Sequence, residues 1–148
     1  MQIRTARAED AAQVCELWEV NFGYTEARNA PRKVFARALS WDHESLLVAV
    51  EGDRIVGTLI VGYDGHRGWL YRCTVAPSER GRGVARLLVT SGEARLQSLG
   101  CTKVNLQLHT SNEDGRKFWA ALGYGEEARI SMGKDLTGSA TPGSDAGC

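Results

Sequence analysis

The stretch Arg80-Gly81-Arg82-Gly83-Val84-Ala85 follows an apolar run at residues 69–75 and opens a helical pattern at residues 84–99. A strand that feeds a glycine-rich turn and then a helix aims unpaired backbone N–H groups, and the positive end of a helix dipole, at one spot that suits a phosphate. Gly81 and Gly83 allow the backbone to approach a ligand with no Cβ in the way. Arg80, Arg82 and Arg86 add positive charge to the same corner, and guanidinium groups pair well with phosphate oxygens. The local pattern is equally that of a tight loop carrying solvated arginines, so the rest of the chain has to decide what the corner holds.

Downstream, Val84, Leu87, Leu88, Ser91, Ala94, Arg95 and Leu99 fall at helical positions, and Gly100 stands where a left-handed C-cap belongs. Residues 103–108 alternate as a strand with Val104, Leu106 and Leu108 on one face. A helix joining two strands makes them a parallel pair linked by a right-handed crossover. Ser111 or Asn112 can cap a further helix at residues 113–122, closed by Gly123, with Phe118, Ala121 and Leu122 expected to face the core. Residues 128–132 alternate and predict a last strand.

Upstream, the period is two. Residues 45–50 and 55–63 are apolar runs separated by the turn Glu51-Gly52-Asp53-Arg54, and Asp64-Gly65-His66-Arg67-Gly68 turns the chain into the run at 69–75. Three antiparallel strands follow from this, stopped by Pro77, which has no N–H to donate. Before them lie a short strand near Ile3, a helix from about Asp10 to Val20 that buries Val14, Leu17, Trp18 and Phe22, and a loop at residues 23–30. A second helix starts at Pro31 behind Asn29, carries Val34, Phe35, Ala38 and Leu39, and ends near Trp41. Trp18, Trp41 and Trp69 read as core aromatics. The fold class is therefore α/β (α+β), with a mixed, mostly antiparallel central sheet flanked by helices.

The 148 residues make one domain, drawn at 1–136, with a Gly/Ser/Ala-rich tail at 137–148 expected to be disordered. Eighteen basic against eighteen acidic side chains leave no net charge to recruit nucleic acid or an anionic membrane. Cys15, Cys73, Cys101 and Cys148 are widely spaced, without a Cys-x-x-Cys or a histidine at ligand spacing, which argues against a metal site. With no secretory apolar segment and no run near twenty apolar residues, the chain is expected in the cytoplasm.

Three phosphate-binding schemes compete for the corner. A P-loop needs Lys-Ser/Thr after its last glycine, and Val84-Ala85 stand there. A dinucleotide fold needs a third glycine and an acid about twenty residues on; Arg86 takes the glycine's place, and Cys101-Thr102-Lys103 offer no acid. The third scheme is carried by two motifs. Arg80, Gly83 and Ala85 match the signature Arg/Gln-x-x-Gly-x-Gly/Ala, and Asn112, Gly115, Phe118-Trp119, Leu122-Gly123 and Tyr124 match a second signature at the right separation. With the element order, these make residues 3–136 resemble the GNAT family of acyl-CoA-dependent N-acetyltransferases. Residues 62–68 are also similar to a bacterial subgroup of that family.

The resemblance implies acetyl-CoA as co-substrate, its pyrophosphate on the amides of Gly81, Arg82, Gly83, Val84, Ala85 and Arg86, and its pantetheine arm beside the backbone of Cys73 and Val75. Asn112 would touch the arm, and the strands at 69–75 and 103–108 would splay to admit it. A carbonyl held by an N–H near Val75 would be polarised as its oxygen gains charge. The implied reaction is direct acetyl transfer to a primary amine of a small molecule or peptide, and the resemblance leaves a homodimer open.

One part of the family pattern is missing. In the branch that acetylates ribosomal-protein N-termini, a Glu on the fifth strand is the base and a Tyr on the next helix the acid, and the matching positions here hold Gln107 and Trp119. Neither side chain exchanges a proton near neutral pH. Replacement candidates are Asp64, His66, Tyr71, His109 and Tyr124. The same gap motivates a second reading, a non-catalytic acyl-CoA-binding module.

Overall fold

The computed structural model describes residues 1–23 and 27–137. Five strands form one sheet in the order β1-β2-β3-β4-β5: β1 Gln2–Thr5, β2 Leu46–Glu51, β3 Arg54–Tyr63, β4 Gly68–Val75 and β5 Val104–Leu106. The first four pair antiparallel and β5 joins β4 in parallel. Among the described residues, four α-helices flank them: α1 Ala11–Phe22, α2 Pro31–Trp41, α3 Val84–Ser98 and α4 Glu113–Ala121.

Both faces of the sheet are covered, which is why β2 reads as a continuous apolar run. Leu47 and Ala49 pack with Val84, Leu88, Val89 and Leu96 of α3, whereas Leu46 and Val48 pack with Val14, Leu17 and Trp18 of α1 and Phe35 of α2. Among the described residues, no helix is long and apolar enough to cross a membrane.

Five expectations need correction. Residues 128–132 are not a strand: Arg129 N–H donates to the Glu127 carbonyl in a three-residue turn that breaks the extended backbone. The segment is instead tied to the region of β5 through side chains, by Asn105 to Glu127 at 3.1 Å and Gln107 to Ser131 at 2.7 Å. The strand expected at 103–108 shrinks to Val104–Leu106. Trp41 is 92% exposed, because six residues beyond buried Phe35 it points about 240° round the helix. On α4 it is Trp119 that is buried and Ala121 that is exposed. Trp69 is half-buried and stacks on Tyr71 with ring centroids 6.5 Å apart.

The start of the chain is pinned electrostatically. Buried Asp10, just before α1, accepts both Arg4 guanidinium nitrogens at 2.7 and 2.9 Å and the Arg7 N–H at 2.7 Å. Arg4 first, then the Arg7 amide, holds the Asp10 carboxyl below its usual range against the opposing effect of burial. A depressed folded pKa stabilises above the unfolded value near 4 and is lost as pH falls through the folded value. Asp10→Ala is expected to cost about 1–3 kcal/mol at pH 7, and the difference from the parent in urea melts should shrink below pH 4.

Candidate active site

The site begins with an irregularity in β4. Thr58 of β3 faces Thr74, but Ile60 faces Tyr71, so two residues of β4, Arg72 and Cys73, stand opposite Leu59 alone. Arg72 takes a left-handed φ of 51°, costly for a residue with a Cβ and held here by its surroundings. The bulge breaks the alternation of side chains. Leu70 packs on the α3 face of the sheet, whereas Tyr71 and Arg72 both serve the α1/α2 face, and Cys73 returns to the α3 side.

The same strand loses its neighbour at the bulge. Pairing between β4 and β5 runs from Gly68↔Val104 to Leu70↔Leu106 and then stops, although β4 continues to Val75. From Tyr71 to Val75 that edge of β4 is therefore no longer covered by β5. An extended chain of amides fits such an edge as an added strand would.

At the far end of that edge lies the glycine corner. Gly81 and Gly83 have φ of 78° and 80°, a region glycine enters freely, and a Cβ built on either meets nothing within 4 Å. Gly83 is the N-cap of α3 and supplies no side-chain cap, so the first-turn amides of Val84, Ala85 and Arg86 keep their anion-binding capacity. The Val84 side chain is buried in the core, which leaves its amide as its part in the corner. The arginines divide. Arg82 is turned to the carboxylates of Glu51 and Glu79, Arg80 donates to Asn21 at 2.5 Å, and Arg86 is exposed on the first turn of α3.

On the α1/α2 face, the bulge opens into a cleft of about 340 Å³ lined by Asn29, Val34, Arg37, Ala38, Ile60, Tyr71 and Arg72. Tyr71 is 47% exposed there, and partial burial, then the charge of Asp64, pushes its phenol upward, so it stays protonated at neutral pH. Arg72 is 8% exposed, with its guanidinium 5.0 Å from the Phe22 ring centre and 5.5 Å from that of Trp18. Neither Arg72 nor Arg37 figured among the expected site residues, because the bulge that turns Arg72 to this face is a property of strand pairing.

A family model described as the acetyltransferase (GNAT) family matches residues 11–124. The chain belongs to the GNAT family. Among solved structures it is similar to an aminoglycoside antibiotic 6'-N-acetyltransferase from Acinetobacter haemolyticus, at 20% identity and TM-score 0.75 over 92% of this chain and 99% of the other. It is also similar to Ard1 from Thermoplasma volcanium, at 17% identity and TM-score 0.76 over 86% and 84%. A third is the PaiA N-acetyltransferase from Thermoplasma acidophilum, solved with coenzyme A, at 18% identity and TM-score 0.75 over 87% and 92%. At these identities the likeness is one of fold.

Acetyl-CoA is the co-substrate of this GNAT chain. The edge of β4 that β5 leaves, the open space over Gly81 and Gly83 and the uncapped start of α3 fit its amide arm and its pyrophosphate. Asn112 is committed locally: its Oδ1 caps α4 by accepting Gly115 N–H at 2.8 Å, and a Cβ at Gly115 would lie only 2.6 Å from the Asn112 amide nitrogen. That explains why a small residue follows the asparagine in the second motif.

The acid–base candidates of the GNAT chain are dispersed. Gln107 donates to Ser131, and Trp119 is buried between Phe118 and Tyr124 with both rings edge-on at 5.1 Å. Tyr124 donates to Glu93 at 2.7 Å, and burial first, then that carboxylate, pushes its phenol strongly upward. His109 Nδ1 lies 2.7 Å from Ser111 Oγ and 3.3 Å from the Ser111 backbone nitrogen, which ties the ring to its own turn. Asp64 accepts the N–H groups of His66 and Arg67 at 2.8 and 2.7 Å, which hold its carboxyl below its usual range. That turn, with exposed His66, sits at the opposite end of β4 from the glycine corner, roughly 25 Å of strand away. Of the candidates, Tyr71 alone lines the cleft.

Proposed function

We propose that the chain transfers the acetyl group of acetyl-CoA to a primary amine of a small molecule held in the cleft at the bulge. The observation that carries this is that the bulge lined by Tyr71 and Arg72, the edge of β4 that β5 leaves and the glycine corner follow one another along one stretch of chain. Acetyl-CoA supplies an activated thioester carbonyl. The amine nitrogen attacks that carbon, a C–N bond forms, the C–S bond breaks, and the nitrogen's proton is balanced by protonation of the thiolate. Amides of Gly81 to Arg86 hold the pyrophosphate, and the backbone at Cys73 and Val75 aligns the arm and polarises the carbonyl. Tyr71, protonated and at the mouth of the cleft, is the candidate acid for the leaving thiolate. With Gln107 in place of a base, the amine enters already neutral or loses its proton to water.

The test is thiol release from acetyl-CoA with a panel of small primary amines. Turnover with at least one amine, and its loss by tenfold or more in Tyr71→Phe with coenzyme A binding unchanged, is expected. The second reading, an acyl-CoA-binding module without turnover, draws on the Gln107–Ser131 bond and the burial of Trp119. A thermal shift with coenzyme A and no thiol release with any amine would favour it.

A further inference from the structure

The turn at the glycine corner has the least constrained kind of backbone, because Arg82 is the one residue with a side chain between Gly81 and Gly83. Backbone amides hold an anion best when they already point at it, since ordering a loop at the moment of binding lowers affinity. Arg82 is thus the handle by which the rest of the protein can fix this turn. Its guanidinium forks onto Glu51, with Nη1 donating to Oε2 at 3.1 Å and Nη2 to Oε1 at 3.2 Å. Nη1 also donates to a carboxylate oxygen of Glu79. Glu51 ends β2 and faces Arg54 in the pairing with β3, so the sheet itself carries that carboxylate. Glu79 is 7% exposed, and its amide donates to the Ala76 carbonyl at 2.9 Å just after β4.

By charge alone, two carboxylates beside an anion site are unfavourable. Both are reached by a side chain of the corner itself, a span comparable to the screening length of about 8–10 Å. A guanidinium committed to two carboxylates is also drawn away from a phosphate. We infer that Glu51 and Glu79 are positioning residues for acetyl-CoA: through Arg82 they fix the turn at Gly81–Gly83 so that its amides, and not this guanidinium, receive the pyrophosphate. The pair with Glu51 is solvent-exposed and contributes little to global stability, so its effect falls on coenzyme A affinity. This rests on the reading that the corner holds the pyrophosphate, and it names what keeps the corner in shape.

The experiment measures Kd for coenzyme A by calorimetric titration, with a ligand-free melt of each protein, for Glu51→Gln, Glu79→Gln, Arg82→Ala and the double variant Glu51→Gln/Arg82→Ala. If Arg82 bound the phosphates directly, Glu51→Gln would lower Kd, because it removes a negative charge and releases the arginine. A positioning role predicts the opposite sign: Kd rises about fivefold or more in Glu51→Gln, with Tm within about 2 °C of the parent. Arg82→Ala should raise Kd at least as much, and the double variant should bind no more weakly than Arg82→Ala, since both changes remove the same strut. Glu79 is buried, so Glu79→Gln is expected to lower Tm as well as affinity, and Glu51 decides the question. A Kd lowered or unchanged in Glu51→Gln, a rise that comes with a larger loss of Tm, or effects that multiply in the double variant would overturn the positioning role. The Gly81→Asn/Gly83→Asn protein serves as the control. If it loses coenzyme A while Glu51→Gln does not, only the positioning role fails; if it binds normally, the corner is not the pyrophosphate site and both readings fall.

Discussion

Replacing Gly81 and Gly83 together by asparagine is expected to abolish protection by coenzyme A while leaving the protein folded. Both positions have positive φ, and asparagine tolerates that region better than other residues with a Cβ, so the cost to stability stays near 1–2 kcal/mol in all. The new side chains would project into space where, apart from the position itself and its two chain neighbours, no atom of the described residues lies within 4 Å of either Cβ, which is the space a pyrophosphate needs. Loss of access to the first-turn amides of α3 should raise Kd for coenzyme A at least about a hundredfold, roughly 2.7 kcal/mol. Calorimetric titration gives the Kd, and a melt without ligand confirms the fold. An unchanged Kd in a folded double variant would remove the corner from the site. Valine at the same positions would confuse the outcome, because a β-branched residue at positive φ strains the backbone itself.

What could be read in the chain was local in origin. The corner was legible because two glycines, a preceding apolar run and a following helix period are neighbours in sequence, and the structure keeps them in that relation. The strand β2 was legible because a short apolar run closed by the turn Glu51-Gly52-Asp53-Arg54 is bounded by its neighbours in sequence. The cleft was not legible. Its lining comes from residues 29–38, 60, 71 and 72, and the turn of Arg72 towards Trp18 depends on β4 pairing with β3 out of step by one residue. Nothing in Leu70-Tyr71-Arg72-Cys73 marks that step; only an arginine inside an otherwise apolar run hints that its side chain has somewhere particular to go. The last strand was misread for a related reason. Ala128, Ile130 and Met132 have the right period, yet alternation specifies a strand only where a partner edge accepts it, and β5 is three residues long.

Trp18→Ala is expected to be among the most damaging single changes in the core, because Trp18 links the α1 face to the bulge. Its ring is fully buried, and its Nε1–H donates to Thr58 Oγ1 at 2.8 Å. The Thr58 hydroxyl in turn donates to the Arg72 carbonyl at 2.9 Å, which anchors the left-handed residue from beneath. Truncation removes a large apolar surface, leaves a cavity and withdraws one ring from under the Arg72 guanidinium, for about 3–5 kcal/mol. For a chain of this size that lowers Tm by roughly 10 °C or more. Trp18→Phe keeps an aromatic ring in place and loses the donor to Thr58, so about 1–2 kcal/mol is expected. The pair of variants separates packing from placement of the bulge. If Thr58 and Trp18 hold Arg72 where the cleft needs it, Trp18→Ala should raise the acceptor KM at temperatures well below its melt, with Kd for coenzyme A unchanged. A Tm within 3 °C of the parent would show that the Trp18–Thr58–Arg72 chain does not hold the bulge.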